Sequence, residues 1–439
     1  MEARQRARLF HVVHFVAKDW LKNQGRLMTR RFQTPESYRG PIISRVKRAR
    51  QVEDPRKRDL SPTILDFGSV RVALARHFGF CYGVENAVEI AYRTLSEHAD
   101  RRVFFLSEMI HNPSVNRDLV ERGVRFIFTP AGQQLVPWDE VRPDDVVVVP
   151  AFGTTIEMQE KLAERGVDAY RYNTTCPFVE KVWKRSAQLG VDHYSVVVHG
   201  KDTHEETRAT FSHSRRGAPT VVVRNLAEAQ VLGDVIRGRR GADEFQRTFG
   251  HKCSAGFDPG RDLERVGVVN QTTMLATETH EIAQELKRAL ADRYGAADID
   301  AHFADTSDTL CYATIENQNA TYALVEHGAD LAIVVGGHNS SNTSHIVELC
   351  ERAMPTYFVQ GADDLLSASV IRHLSLTTRA VVKSQGWLPD HRPLTVVLTC
   401  GASCPDAILD EVLCRVLSMV SDVRAVDDVL APFPEIEAS

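Results

Sequence analysis

Three of the eight cysteines stand where the chain bends and then begins a helical stretch. Cys81 lies between glycines in Gly79-Phe80-Cys81-Tyr82-Gly83. Cys176 lies in Asn173-Thr174-Thr175-Cys176-Pro177, and Cys311 in Asp308-Thr309-Leu310-Cys311-Tyr312, just before a helical stretch opening near Thr314. The first turn of a helix offers unpaired N–H groups and a partial positive charge, and both favour a thiolate. Two readings stay open: inert buried cysteines, which are common, or ligands. Separations of 95 and 135 residues are not those of a zinc ribbon. They are what one ligand from each of three subdomains would give. Three thiolates around a cubane iron–sulfur cluster leave one iron without a protein ligand, a Lewis-acid position for a substrate oxygen.

Residues so far apart need a scaffold to gather them. Continuous β-branched runs recur at Val70–Ala75, Val103–Leu106, Val146–Val149, Ser195–Val198, Thr220–Val223, Val266–Val269, Leu331–Val335 and Thr395–Leu398. Unbroken rather than alternating hydrophobicity predicts strands buried on both faces, as in parallel sheets. Helical stretches lie between them, at Val84–Leu95, Phe178–Leu189, Met274–Leu290 and Thr314–His327. The β-α-β-α order predicts an α/β protein. Val231 to Asp262 reads as a polar, Gly-rich interruption, an expected insertion.

Most strands run into a polar or Gly-containing loop, and ligands of open parallel sheets bind at the carboxyl ends of strands. The loops include Ile110-His111-Asn112-Pro113, His199-Gly200-Lys201 followed by His204-Glu205-Glu206-Thr207, Asn270-Gln271-Thr272-Thr273, Gly336-Gly337-His338-Asn339-Ser340-Ser341-Asn342-Thr343, and Thr399-Cys400-Gly401-Ala402-Ser403-Cys404. They are rich in neutral or cationic hydrogen-bonding groups and poor in carboxylates. Together they point to one anionic, oxygen-rich ligand.

Composition bounds the class. The 439 residues are 43% hydrophobic and 25% charged, ordinary for a globular protein and too long for one small domain. No apolar run reaches the roughly 18 residues of a membrane helix. A net charge of −5 gives no global basic field for nucleic acid. Eight cysteines are too sparse for a disulfide scaffold, so reduced thiols are expected. Charge is uneven: residues 1–60 hold 16 Lys+Arg against 6 Asp+Glu. That stretch reads as a solvated basic arm, a late start at Met28, or an organelle transit peptide covering Met1 to about Trp20. A cytoplasmic location is expected, with a plastid as the alternative.

From 70 to 410 these motifs, in this order, closely resemble the 4-hydroxy-3-methylbut-2-enyl diphosphate reductase family of the non-mevalonate isoprenoid route, in its long plant and cyanobacterial form. The resemblance implies a trefoil of three small α/β domains in pseudo-threefold arrangement around a central iron–sulfur cavity. The expected boundaries are a basic extension at 1–69, domains at 82–176 and 177–307, a third made of 70–81 plus 308–406, and a C-terminal helix and tail at 407–439. It implies a 4Fe–4S cluster on Cys81, Cys176 and Cys311. The implied reaction removes the hydroxyl of an allylic diphosphate with two electrons and protons, giving isopentenyl and dimethylallyl diphosphate. Glu206 matches the family's proton-delivering glutamate, and Thr272 joins its network. Such a carboxyl has to hold a proton at the right moment, so burial or nearby anionic charge should raise its pKa. His111, His204, Thr272, Ser340, Ser341, Asn342 and Ser403 match diphosphate and substrate ligands, groups that satisfy phosphate oxygens with directional bonds. The implied electron donor is a ferredoxin or a flavodoxin.

The chain departs from the family in places. Phe152 stands where many members have histidine, and it is expected to pack on the apolar part of the substrate. Cys400 and Cys404 flank Ser403, where they read as small apolar filler. Cys253, Cys350 and Cys414 read as packing or surface thiols, and His199, His338 and His345 as structural. Two other classes compete: a different three-cysteine 4Fe–4S enzyme of the quinolinate-synthase kind, and a non-catalytic metal-binding sensor. The Asn339-Ser340-Ser341-Asn342 loop and Glu206 argue against the first, and turnover would exclude the second.

Overall fold

A computed structural model describes residues 32–306 and 309–434. The leader from Met1 to about Trp20, Met28, and the expected domain end at Ser307 lie outside the described residues. The chain divides into two compact units. Among the described residues one holds Phe32, Asn86–Met109 and Leu119–Cys311, the other Gln33–Glu85, Ile110–Asp118 and the chain from Tyr312 onward.

The first unit contains two parallel sheets. One is ordered Arg125–Phe126, Val103–Phe105, Val146–Val148. The other is ordered Thr220–Val223, Ser195–His199, Val266–Asn270, Phe303–Ala304. Every residue of Ser195–His199 and Val266–Asn270 is buried, which is why these runs show no polar alternation. The helix Pro177–Val191 begins with proline in its first turn and buries Val179, Val182, Ser186 and Leu189, a stripe of helical period. The helix Ala276–Tyr294 likewise buries Ile282, Leu286, Ala289 and Leu290. The stretch from Val231 to Asp262 is not a polar interruption. It finishes the helix Leu226–Ile236 and forms Ala242–Phe249 and Pro259–Asp262, and its Phe245 and Phe249 sit in the core with Leu232, Ile236 and Leu286. Its glycines fall mostly between these short helices, so a local reading sees the breaks and not the buried faces.

The second unit carries a seven-stranded sheet ordered Thr63–Asp66, Val70–Leu74, Leu394–Cys400, Leu331–Val335, Thr356–Val359, Val370–Ser375, Ala380–Gln385. The four central strands run parallel, with Leu74 opposite Leu398 and Cys400 opposite Val335. Antiparallel strands close both sides. The loops after Val335 and Cys400 therefore leave the same edge side by side, the geometry that builds a ligand site. The chain is thus α/β, with three separate sheets among the described residues. All eight expected strands are present within a residue or two. No helix among the described residues is long and apolar enough to cross a membrane.

Candidate active site

In the first unit Glu206 occupies the first turn of the helix Glu205–Arg215 and is only 1% exposed. Its Oε1 accepts from the Thr272 amide at 2.5 Å, and the Thr272 hydroxyl bonds the same carboxyl. Burial pushes its pKa up to about 7, against those two bonds, which favour the carboxylate. The carboxyl therefore holds a proton close to neutrality, as its expected role requires. His204 caps the same helix, its Nδ1 accepting from the Glu206 amide at 3.2 Å, so the ring proton stands on Nε2. Phe152 meets that imidazole edge to face, with centroids 5.8 Å apart and planes at 84°. The aromatic at this position thus fixes the ring of His204.

Gln271 is a further member that the motifs did not single out. Its side-chain oxygen accepts from the Lys201 amide at 3.2 Å and from the Thr207 hydroxyl at 3.0 Å. It ties the loop before the Glu206 helix to the loop that carries Thr272. Its position between Asn270 and Thr272 was the only available signal.

The second unit gathers the expected oxygen-binding groups. Ser340 caps the helix Ser341–Glu351, its Oγ accepting from the Thr343 amide at 3.2 Å and the Thr343 hydroxyl at 2.9 Å. Asn342 Oδ1 accepts from the Ala402 amide at 2.9 Å, which joins the two adjacent strand-end loops. The Ser403 hydroxyl donates to the His111 carbonyl at 3.1 Å, and Asn339 Nδ2 lies 3.1 Å from His111 Nδ1. The Asn339 amide donates there, so His111 keeps its proton on Nε2. Ser341 is 3% exposed, and among the described residues its hydroxyl has no hydrogen-bond partner. A buried hydroxyl at a helix N-terminus, beside caps that are already satisfied, suits an anionic oxygen. His111, Ser340, Ser341, Asn342 and Ser403 are therefore brought together, with Asn339 added to them.

The three singled-out cysteines all precede or cap helices, as expected. Cys176 is the cap of Pro177–Val191, and its amide donates to the Ala151 carbonyl at 3.0 Å. Cys311 is buried and precedes Tyr312–His327. Cys81 precedes Tyr82–Glu97, and its amide donates to the Ala402 carbonyl at 3.4 Å. Burial pushes the Cys81 thiol up, while the amides of Val84, Gly83 and Cys81 itself favour its thiolate. No disulfide engages any cysteine of the chain. Among the described residues no three His, Cys, Asp or Glu side chains are grouped to hold a single metal ion. Reduced sulfur at helix starts, one of them supplied with amide donors, is a donor set that fits a soft iron–sulfur cluster.

Most of the remaining cysteines are buried or half-buried, and the three histidines read as structural have partners within the fold. Cys400, Cys404 and Cys350 are fully buried, and burial pushes Cys350 up to about 12. Cys253 is half-buried and Cys414 exposed. His199 Nδ1 pairs with the Thr279 hydroxyl at 2.8 Å, His345 with Glu348 at 2.8 Å, and His338 stands edge-on to Phe358.

A sequence model described as LytB protein matches residues 72–417. The 4-hydroxy-3-methylbut-2-enyl diphosphate reductase of Gloeobacter violaceus is 42% identical over 355 residues, 80% of this chain and 84% of that protein. The enzyme of the same name from a Synechococcus strain is 41% identical over 356 residues, 81% of this chain and 87% of that one. The solved E-1-hydroxy-2-methyl-but-2-enyl-4-diphosphate reductase of Plasmodium falciparum superposes with a TM-score of 0.56 at 20% identity, covering 79% of this chain and 87% of its own, and speaks for the fold.

Proposed function

This chain belongs to the LytB family of 4-hydroxy-3-methylbut-2-enyl diphosphate reductases, and from that membership we propose that it reduces the allylic alcohol of this diphosphate to isopentenyl and dimethylallyl diphosphate. The C–O bond breaks, two electrons and two protons enter, and the hydroxyl leaves as water. The observation that carries the reading is the buried Glu206–Thr272 pair, a carboxyl that keeps its proton near pH 7. It acts as the general acid toward the departing hydroxyl, a role typically worth about 10²–10⁴ in rate. Thr272 orients it through both amide and hydroxyl. The diphosphate is held by Ser340, Ser341, Asn342 and Ser403, with His111 and His204 presenting Nε2–H donors.

Cys81, Cys176 and Cys311 are the proposed ligands of a 4Fe–4S cluster. When bound, that cluster supplies single electrons and a Lewis-acid iron. A ferredoxin- or flavodoxin-type carrier is the proposed donor, and the cytoplasm the proposed compartment. The three-domain division with boundaries near 82, 177 and 308 belongs to the same proposal and is supported by the three separate sheets.

The test is anaerobic reconstitution, a visible spectrum, and reduction of the allylic diphosphate with a chemical donor. Serine at Cys81, Cys176 or Cys311 is expected to abolish turnover. Glu206→Gln is expected to keep colour and substrate binding while losing at least about a hundredfold in turnover. A fully active Glu206→Gln enzyme removes the proton role.

A further inference from the structure

The helix Pro41–Glu53 lies outside the family-matched segment 72–417, yet it is fastened to the rest of the second unit at three points. At its start the Asp410 carboxylate accepts from the amides of Ile42 and Ile43 at 2.8 and 2.9 Å. At its end the Arg76 guanidinium donates to the carbonyls of Arg50 and Asp54 at 3.3 and 3.0 Å. An anion at the first turn and a cation at the last both complement the helix dipole and satisfy orphan backbone groups. Ile42, Ile43, Val46 and Ala49 bury the face between.

The third point is Lys47. Its Nζ lies 2.5 Å from Asp406 Oδ1, while the Ser44 hydroxyl donates to the other Asp406 oxygen at 3.1 Å. Asp406 opens the helix Asp406–Leu417 directly after Ser403-Cys404-Pro405. On the other side stands Gly79, two residues before Cys81, with φ +76°. A Cβ there would sit 2.6 Å from Lys47 Nζ and 3.0 Å from Asp406 Oδ1. The ammonium also lies 4.3 Å from the centroid of the Phe78 ring. Lys47 and Asp406 thus stand where the turn leading to Cys81 meets the turn leaving Ser403, the two already joined by the bond from Cys81 to Ala402.

We propose that Lys47 is a positioning residue: its ammonium, brought by a helix outside the family-matched core, locks the Phe78–Cys81 turn against the Ser403–Asp406 turn and so fixes where the Cys81 sulfur stands. The functional meaning rests on Cys81 being a cluster ligand. The lock itself does not. Lys47 and Asp406 side chains are 29% and 18% exposed, so the pair is partly screened and its loss should loosen the two turns without unfolding the unit.

Hydrogen–deuterium exchange on the full-length protein without a cluster reads the lock. Lys47→Met is expected to raise exchange about tenfold at residues 78–85 and 402–406, leaving the strand Leu331–Val335 unchanged. Lys47→Arg, which keeps the charge, is expected to stay near wild type. Iron and sulfide bound after anaerobic reconstitution should fall in Lys47→Met and hold in Lys47→Arg. Unchanged exchange in both turns of Lys47→Met overturns the lock. Raised exchange with wild-type iron content overturns its control of Cys81. If the wild type itself binds no iron, the cluster reading fails while the exchange result still decides the lock. Should Lys47→Met also lose protection in Leu331–Val335, Lys47→Gln, a milder neutral variant, is scored by the same criteria.

Discussion

Replacing Glu206 by glutamine separates the cost of burying this carboxyl from its chemistry. Burial raises its pKa from 4.5 to about 7 in the folded chain, whereas the unfolded chain ionises near the ordinary value. Below about 4.5 both states carry the proton, and Glu206 adds no pH dependence. Between the two values the unfolded chain is ionised and the folded one is not. Folding then takes up a proton, and stability falls as pH rises. Above about 7 both states are ionised and the penalty is constant. At about 1.4 kcal/mol per pH unit the loss amounts to about 3 kcal/mol by pH 8. Glutamine keeps the shape and an acceptor for the Thr272 amide, and has no charge to desolvate. Glu206→Gln is therefore expected to match the wild type at pH 4.5–5 within about 1 kcal/mol, and to exceed it by about 3 kcal/mol at pH 8. Two units need not unfold together, so the assay should be local. It follows the exchange free energy of amides in Glu205–Arg215 and Val266–Asn270 from pH 5 to 8, corrected for intrinsic rates, in protein without metal. A difference that is flat with pH, or that grows toward acid, refutes the reasoning.

Ser341→Ala removes a buried hydroxyl that has no protein partner, so melting should change by less than about 0.5 kcal/mol while KM for the diphosphate rises about tenfold; an unchanged KM removes Ser341 from the binding set. Asn339→Ala leaves His111 without the amide at its Nδ1, and the expected result is a several-fold rise in KM with kcat nearly constant in steady-state kinetics. Gly401→Ala would place a methyl against the Thr343 hydroxyl within the joined strand-end loops, with an expected loss of about 1–3 kcal/mol in a thermal melt; wild-type stability would mean these loops give way easily.

The buried parallel strands were legible because both faces are covered, which leaves an unbroken apolar run such as Leu331–Val335. The hairpin of Val370–Ser375 and Ala380–Gln385 was not. It is mostly half-buried or exposed, and Arg372, His373 and Lys383 interrupt its pattern. Thr356–Val359 is short, and its first two residues are only half-buried, so it shows no long apolar run. Glu206 and Thr272 were legible as a pair through resemblance, and burial then gives a physical cause for the proton. Asn339 and Gln271 depend on partners far along the chain, His111 at 228 residues and Thr207 at 64, so local spacing carried no sign of their bonds. The clamp on Pro41–Glu53 was hidden for the same reason: Asp410, Asp406 and Arg76 declare their roles only when the sheet brings them under that helix.

The place of Val70–Leu74 in its sheet has a consequence for synthesis. Its parallel neighbour, Leu394–Cys400, leaves the ribosome more than 300 residues later. Emerging amino-terminal residues therefore wait with an apolar edge unpaired while the strands Val103–Phe105 through Phe303–Ala304 are made and can pair among themselves. A chain released early, before residue 394, lacks a central strand of the seven rather than a dispensable tail. Nascent copies are thus exposed to misassociation until Leu394–Cys400 has been made and has paired with that edge.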